Sequence, residues 1–258
     1  MRDEFTGNPA PLEISDYVAA ARELGCSVAA LRAVAHVESA GSGFLPNRRP
    51  KILFERHIFH RRTRGEHSAA HPHISSARPG AYLGGAREYE RLHAAMALNR
   101  TVALESASWG KFQIMGFNHA LCGHEDVESF VAGMVAGEGP QLATFTAFLK
   151  SAGLADELRR CDWAGFARGY NGPAYAAHAY DRKIGSAHAR FLEEECARPL
   201  LKLGDQGDHV AQLQTLLGAR ADGAFGPLTL QAVLALQKRN GISADGIVGP
   251  VTWARLLA

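Results

Sequence analysis

The end of the chain repeats itself, and the repeat constrains its fold more than any other feature of the sequence. Asp222-Gly-Ala-Phe-Gly-Pro-Leu-Thr-Leu230 returns 23 residues later as Asp245-Gly-Ile-Val-Gly-Pro-Val-Thr-Trp253. Both copies read D-G-x-x-G-P-x-T. Asp-Gly makes a turn, and the second glycine allows close approach or a positive φ. Proline then sits in the first turn of a helix, where its missing N–H costs nothing. Each copy therefore launches a helix: Leu228–Lys238, with Val233, Leu234 and Leu236 inward, and Val251–Leu257. An earlier helix, His209–Leu217, places Val210, Leu213, Leu216 and Leu217 on one side. Three short helices after a break at Pro199 make a module near the lower size limit for independent folding.

The chain has 258 residues, enough for a second, larger domain. Residues 1–12 read as a loose arm. Ser15 is expected to cap a helix over Asp16–Leu24, closed by Gly25, and Ser27 to cap another over Val28–Ser39, closed by Gly41. Residues 42–90 are rich in Gly, Pro, Arg and His and read as loops with short strands, Ile52-Leu-Phe54 being the one apolar stretch. Helical patterning returns near 86–106, 126–150, 154–169 and 176–196. The expected fold class is mainly α.

One residue breaks the pattern of the second helix. Leu31, Val34 and Ala35 form its apolar stripe, and the next position on that stripe holds Glu38. The helix C-terminus disfavours an anion, and partial burial does the same, so both raise a carboxyl pKa. A carboxyl that keeps its proton near neutral pH suits general acid catalysis. A solvated glutamate at a fraying helix end is the plain alternative.

Two further stretches bear on that choice. Ser106-Ala-Ser-Trp-Gly-Lys-Phe-Gln-Ile114, followed by Met115-Gly-Phe-Asn-His119, has the residues of a sugar-binding cleft: aromatic faces for pyranose rings and a glutamine amide for hydroxyl or acetamide groups. A core strand would read much the same. Tyr170-Asn-Gly-Pro-Ala-Tyr175 follows an apolar helix and carries a turn signal.

Together these blocks resemble the lysozyme-like superfamily. More closely, residues 14–192 resemble the N-acetylmuramidase domain of bacteriophage endolysins. The blocks that carry the resemblance are AVAHVESAGSGF at 33–44, PKILFERHIFH at 50–60, SASWGKFQIMGFNH at 106–119 and FARGYNGPAY at 166–175. Residues 200–258, with the duplicated motif behind a GDxGDxVxxLQxxL-type helix, resemble the peptidoglycan-binding domain of cell-wall hydrolases. The resemblance implies a lysozyme-like α+β catalytic domain over 1–197 and a small three-helix peptidoglycan-binding domain over 200–258. It implies cleavage of the β-1,4 bond between N-acetylmuramic acid and N-acetylglucosamine, with host-cell lysis as the outcome and Glu38 as the catalytic acid. Ser108, Gln113, Tyr170 and Asn171 become candidates for substrate positioning. Asp222, Phe225 and Asp245, on the motif turns, become candidates for wall binding, with turn formation and core packing as the plain alternative.

Glu55, 17 residues after Glu38, is the nearest second carboxylate. Its alternatives are a salt bridge with Arg56 or a structural bond with His57. If it faces Glu38, a separation of about 5 Å predicts retention and about 6.5–9.5 Å inversion. If it points away, Glu38 works almost alone, as in lytic transglycosylases that release 1,6-anhydro products. A transglycosylase is thus the first alternative, and a non-catalytic wall-binding phage protein the second.

No cofactor is expected. Five of the twelve histidines fall between His57 and His73, but without HExxH and without Asp or Cys among them, so no metal is expected either. The substrate polymer is the expected partner, with the chain acting as a monomer. A net charge of +2 points to no nucleic acid, although seven basic residues against one acid between Arg48 and Arg64 could favour an anionic polymer. Cys26, Cys122, Cys161 and Cys196 are scattered and read as free thiols, suiting synthesis in the host cytoplasm. The N-terminus has no apolar core of a signal peptide and no run is long enough to span a membrane, so action on the wall would follow release.

Overall fold

The computed structural model of the protein describes residues 4–39 and 41–257; the side chains of Pro173, Ala174, Ala177 and Cys196 lie outside this description, so the thiol expected at Cys196 does too. Two helices come first, α1 (Ile14–Leu24) and α2 (Val28–Glu38). Glu13, not Ser15, is the N-cap of α1: the Asp16 carboxylate takes the N–H of Glu13 at 2.8 Å, and the Asp16 N–H donates to Glu13 O at 3.2 Å. The acid in the first turn thus reaches back to the N-cap N–H, which a serine at 15 does not do. Gly25 ends α1 at φ 68°, and Ser27 caps α2 through the N–H of Ala30 at 3.1 Å, both as the sequence predicts.

The loop-rich segment holds β1 (Ile52–Phe54) and, unforeseen, α3 (Arg56–Arg62). The 86–106 region splits into α4 (Glu88–Met96) and α5 (Arg100–Glu105), because Asn99 caps the second by accepting from the N–H of Val102. Next come β2 (Ala107–Trp109) and β3 (Ile114–Met115). The 126–150 region also divides, into α6 (Val127–Ala136) and α7 (Glu138–Ser151), at Gly137 with φ 156°. α8 (Ala155–Arg160), α9 (Trp163–Asn171) and α10 (Tyr180–Cys196) follow, with a 3-10 turn at Pro173–His178 in place of the first residues expected in α10. The repeats give α11 (Asp208–Leu216), α12 (Pro227–Arg239) and α13 (Pro250–Leu256). No described helix is long and apolar enough to cross a membrane.

The sheet is antiparallel in the order β1-β2-β3. Ile52 pairs with Trp109 and Trp109 with Ile114; Leu53 pairs with Ser108 and Ser108 with Met115. Paired residues share a face, so Ile52, Trp109 and Ile114 form one row and Leu53, Ser108 and Met115 the other. The first row is core.

The described residues form two compact units, 4–12 with 35–154, and 13–34 with 155–257. In the first, residues before α1 are not a loose arm. Phe5 is 1% exposed, 5.6 Å from the Trp109 ring and 5.3 Å from that of Tyr89. The N–H of Gly7 reaches Arg48 O at 2.9 Å, and a Cβ on Gly7 would lie 1.9 Å from Val135 O. In the second unit, Leu201, Val210, Leu213, Phe225, Val233 and Trp253 belong to the core shared by the repeat helices. Cys26, Cys122 and Cys161 are free thiols, and burial pushes Cys26 up to about 11 and Cys122 up to about 12.

Candidate active site

α2 delivers Glu38 as the stripe predicts. Leu31, Val34 and Ala35 are fully buried, and Glu38, the last residue of the helix, is half-buried. The side chain on that stripe therefore emerges from the core just where the backbone carbonyls of the helix end carry partial negative charge.

Glu55 stands at the junction of β1 and α3, as the residue capping α3. Its backbone N–H donates to Ser106 O at 2.9 Å, extending the pairing of β1 with β2. Arg56 is not its partner; that guanidinium donates to the carbonyls of Pro72, Arg78 and Pro79. His57 Nδ1 lies 3.1 Å from Glu55 Oε2 without the alignment of a hydrogen bond. The main partner is Tyr82, whose hydroxyl is 3.1 and 3.0 Å from the two carboxylate oxygens. Burial first, and then Glu55, push the Tyr82 phenol up, so it remains a donor. Its ring is 46% exposed.

A buried ion pair fixes this arrangement. Glu88, fully buried, accepts from the N–H groups of Phe54, Leu83 and Gly84 and from Arg91 Nη1 at 3.0 Å. Arg91 Nη1 also donates to Phe54 O at 2.9 Å. One pair thus holds both the residue before Glu55 and the residues after Tyr82. Tyr82 was not legible as a site residue in the sequence; a lone tyrosine in a Gly-rich loop carries no pattern.

Ser108 and Gln113 are brought together by the turn between β2 and β3. Ser108 Oγ donates to Gln113 Oε1 at 2.9 Å, and Gln113 Nε2 donates to Gly110 O at 2.8 Å and Lys51 O at 3.3 Å. Gln113 is exposed with φ 48°, a left-handed conformation that costs a non-glycine residue about 1 kcal/mol or more and is held here by those bonds. Two aromatics of the same block, Trp109 and Phe112, are core. Trp109 is fully buried with Nε1 donating to Leu104 O, and Phe112 stacks on Phe145 at 4.2 Å. They offer no face to a sugar.

Tyr170 and Asn171 end α9 and belong to the second unit, whereas Glu38, Glu55, Ser108 and Gln113 belong to the first. Both are half-buried, and the Tyr170 ring stacks on Phe166 at 5.7 Å. His60 Nδ1 is 2.7 Å from Ser68 Oγ, so it serves its own loop. Among the described residues, no group of three or more His, Cys, Asp or Glu is arranged to hold a metal ion.

In the repeat module, the duplicated turns are built around two buried glutamines. Gln214 Nε2 donates to Asp222 Oδ1, Ala224 O and Thr229 Oγ1, and its Oε1 accepts from the N–H of Gly223. Gln237 repeats this with Asp245, Ile247, Thr252 and Gly246. Asp222 and Asp245 therefore act first as turn formers, and Phe225, 2% exposed, is core and has no ring face to present to a polymer. Exposed apolar side chains stand nearby at matched positions, Leu228 at 81% and Val251 at 62%. A cavity of ≈ 400 Å³ opens beside the second repeat, lined by Leu200, Gln237, Ile242, Asp245, Ile247 and Val251 among others.

Comparisons with known proteins find two family matches along the chain. The profile of the N-acetylmuramidase family matches residues 27–192, and that of a peptidoglycan-binding domain family matches residues 206–256. The crystal structure of the Burkholderia AP3 phage endolysin is similar, at 41% identity and a TM-score of 0.68, over 75% of this chain and 74% of that one. A search among curated proteins gives no match. The chain belongs to the N-acetylmuramidase family. It has the class of a peptidoglycan-degrading glycoside hydrolase, with a wall-binding domain behind the enzyme domain.

Proposed function

We propose that the protein is an endolysin that hydrolyses the β-1,4 bond between N-acetylmuramic acid and N-acetylglucosamine. The observation that carries this reading is the placement of Glu38: a half-buried carboxyl at the end of a helix whose stripe of Leu31, Val34 and Ala35 is buried, inside the family-matched region. Glu38 protonates the glycosidic oxygen as the C–O bond breaks, leaving an oxocarbenium-like sugar. Glu55, held by Tyr82, or a water held by Gln113 and its neighbours, handles the oxocarbenium side. Ser108 and Gln113, in the same unit as Glu38, position the glycan. The enzyme domain occupies 1–197 and the wall-binding domain 200–258. The latter keeps the enzyme on an insoluble polymer, raising its local concentration.

Wall attachment is assigned to the face beside the motif turns, with Asp222 and Asp245 shaping it. The cavity at the second repeat supports this, since its size suits a small polymer unit. Sedimentation with purified peptidoglycan tests it: Val251→Lys is expected to leave more protein in the supernatant, and unchanged pelleting would contradict the assignment. The chemistry is tested on digested peptidoglycan by mass spectrometry. Reducing N-acetylmuramic ends support hydrolysis, and 1,6-anhydro ends would make the enzyme a lytic transglycosylase.

A further inference from the structure

Residues 41–43, shortly after Glu38, lie in no helix or strand, yet they are gripped by a largely buried ion pair from two other elements. Glu138, the first residue of α7, is 2% exposed. Its Oε1 accepts from the N–H of Gly43 at 2.6 Å and from Ser42 Oγ at 3.0 Å. Its Oε2 lies 3.1 Å from Lys111 Nζ, and that ammonium also donates to Gly41 O at 2.8 Å. Lys111 sits in the turn between β2 and β3, and its own N–H donates to Oε1 of the fully buried Gln141 at 2.7 Å. The packing leaves no slack. A Cβ on Gly43 would lie 2.2 Å from Gln141 Oε1, and one on Gly110 would lie 2.7 Å from Gln141 Cδ.

Two charges removed from water are costly, and an apolar pair of the same shape often stabilises as well. The pair is therefore informative for what it holds rather than for its strength. Its hydrogen bonds end on Gly41, Ser42 and Gly43, which follow Glu38 by three to five residues. Its lysine comes from the same turn that carries Gln113.

We propose that Glu138 and Lys111 are positioning residues for the catalytic acid. They fix the 41–43 loop, and with it the end of α2, in register with the turn that carries Gln113. The proposal rests on the reading of Glu38 as the acid. The pair's bonds end on the loop after Glu38 and not on Gln113, so the larger effect is expected on the chemical step. A misplacement of about 1 Å at the reacting group costs about 10²-fold in rate.

The test uses the full chain with Lys111→Met, Glu138→Gln and the double variant, measuring kcat, KM and melting temperature on soluble glycan chains. Each single variant strands one buried charge and is expected to lower both melting temperature and kcat. The double variant removes both charges and is expected to recover the melting temperature. Its kcat is expected to stay about 10–100-fold low with KM within about twofold, because Gly41 O has lost its donor. Recovery of kcat together with stability would show a merely structural pair and overturn the proposal. Should the double variant not fold, Ser42→Ala decides: lower kcat at unchanged melting temperature and KM supports the proposal, and unchanged kcat overturns it. Glu38→Gln is the control. If it is inactive while the double variant is fully active, only this proposal fails; if it remains active, the reading of Glu38 fails first.

Discussion

Glu38 illustrates how a single position can be read from a helical stripe. Three apolar residues fixed which face of α2 is buried, and the fourth position on that face held an acid. Replacing it tests role without disturbing packing. Glu38→Gln is expected to reduce kcat by about 10²–10⁴-fold, the usual contribution of a positioned acid, with melting temperature unchanged. Tyr82→Phe removes only the hydroxyl that faces both oxygens of Glu55. A loss of roughly 1 kcal/mol, or about fivefold in kcat, is expected for one such hydrogen bond at a partly exposed site; a kinetic assay showing no change would detach Glu55 from the reaction. Aromatic residues were less legible than acids. Trp109 and Phe112 read equally as cleft or core, and strand pairing decides for core by placing Trp109 between Ile52 and Ile114. Phe225 went the same way, because a ring in a turn motif shows nothing of its facing until the helices around it are packed.

At the scale of elements, the sequence located helical stretches well and their breaks poorly. Asn99 and Gly137 each divide a run whose apolar pattern is continuous. The seven residues of α3 carry mostly Arg and His, so no apolar period announced them. The repeats were legible, but only in part. The D-G-x-x-G-P-x-T turns were evident, while the Leu-Gln pair that recurs at the same 23-residue period, at Gln214 and Gln237, gave the turns their buried centre. Gln237→Leu leaves the N–H of Gly246 and the hydroxyl of Thr252 without this partner. A cost of about 1–3 kcal/mol is expected, read as earlier loss of the repeat module in urea; a transition identical to wild type would contradict the role given to the glutamine. The same networks set an acid limit. Hydrogen bonds, from Gln214 and Ala224 at Asp222 and from Ile247 and Gln237 at Asp245, hold both carboxyls below the usual range. A lowered folded pKa contributes stability above the ordinary value of 3.8, and that contribution is lost as pH falls through the folded value. The module is therefore expected to hold at pH 5 and to loosen below about pH 4, followed by the fluorescence of buried Trp253. Asn at both positions should flatten that pH dependence.

For the whole molecule, order of motifs along the chain was the strongest signal, since four blocks and a terminal repeat were enough to anticipate both family matches. Contacts between distant blocks were not legible. Nothing in EGPQL at 138–142 announces that its glutamate would close on a loop almost a hundred residues earlier, because a buried ion pair has no sequence period. The compact grouping of α1 and α8–α10 with the repeat helices was also beyond reach. It has a consequence for truncation. Arg22 Nη2 donates to Leu256 O, and Trp253 Nε1 donates to Pro199 O, so removing residues 200–258 strips partners from retained parts of that unit. The shortened chain is expected to melt lower, by about 3 °C for each kcal/mol lost; an unchanged melting temperature would show the module to be an independent appendage.

The central claim is that Glu38 supplies the proton for hydrolysis of the glycan strand. Mass spectrometry of peptidoglycan digested by wild type and by Glu38→Gln, at matched protein concentration, tests it most directly. Fragments with reducing N-acetylmuramic ends from wild type, and intact polymer from Glu38→Gln, are the predicted result. The same fragments from both proteins would contradict it.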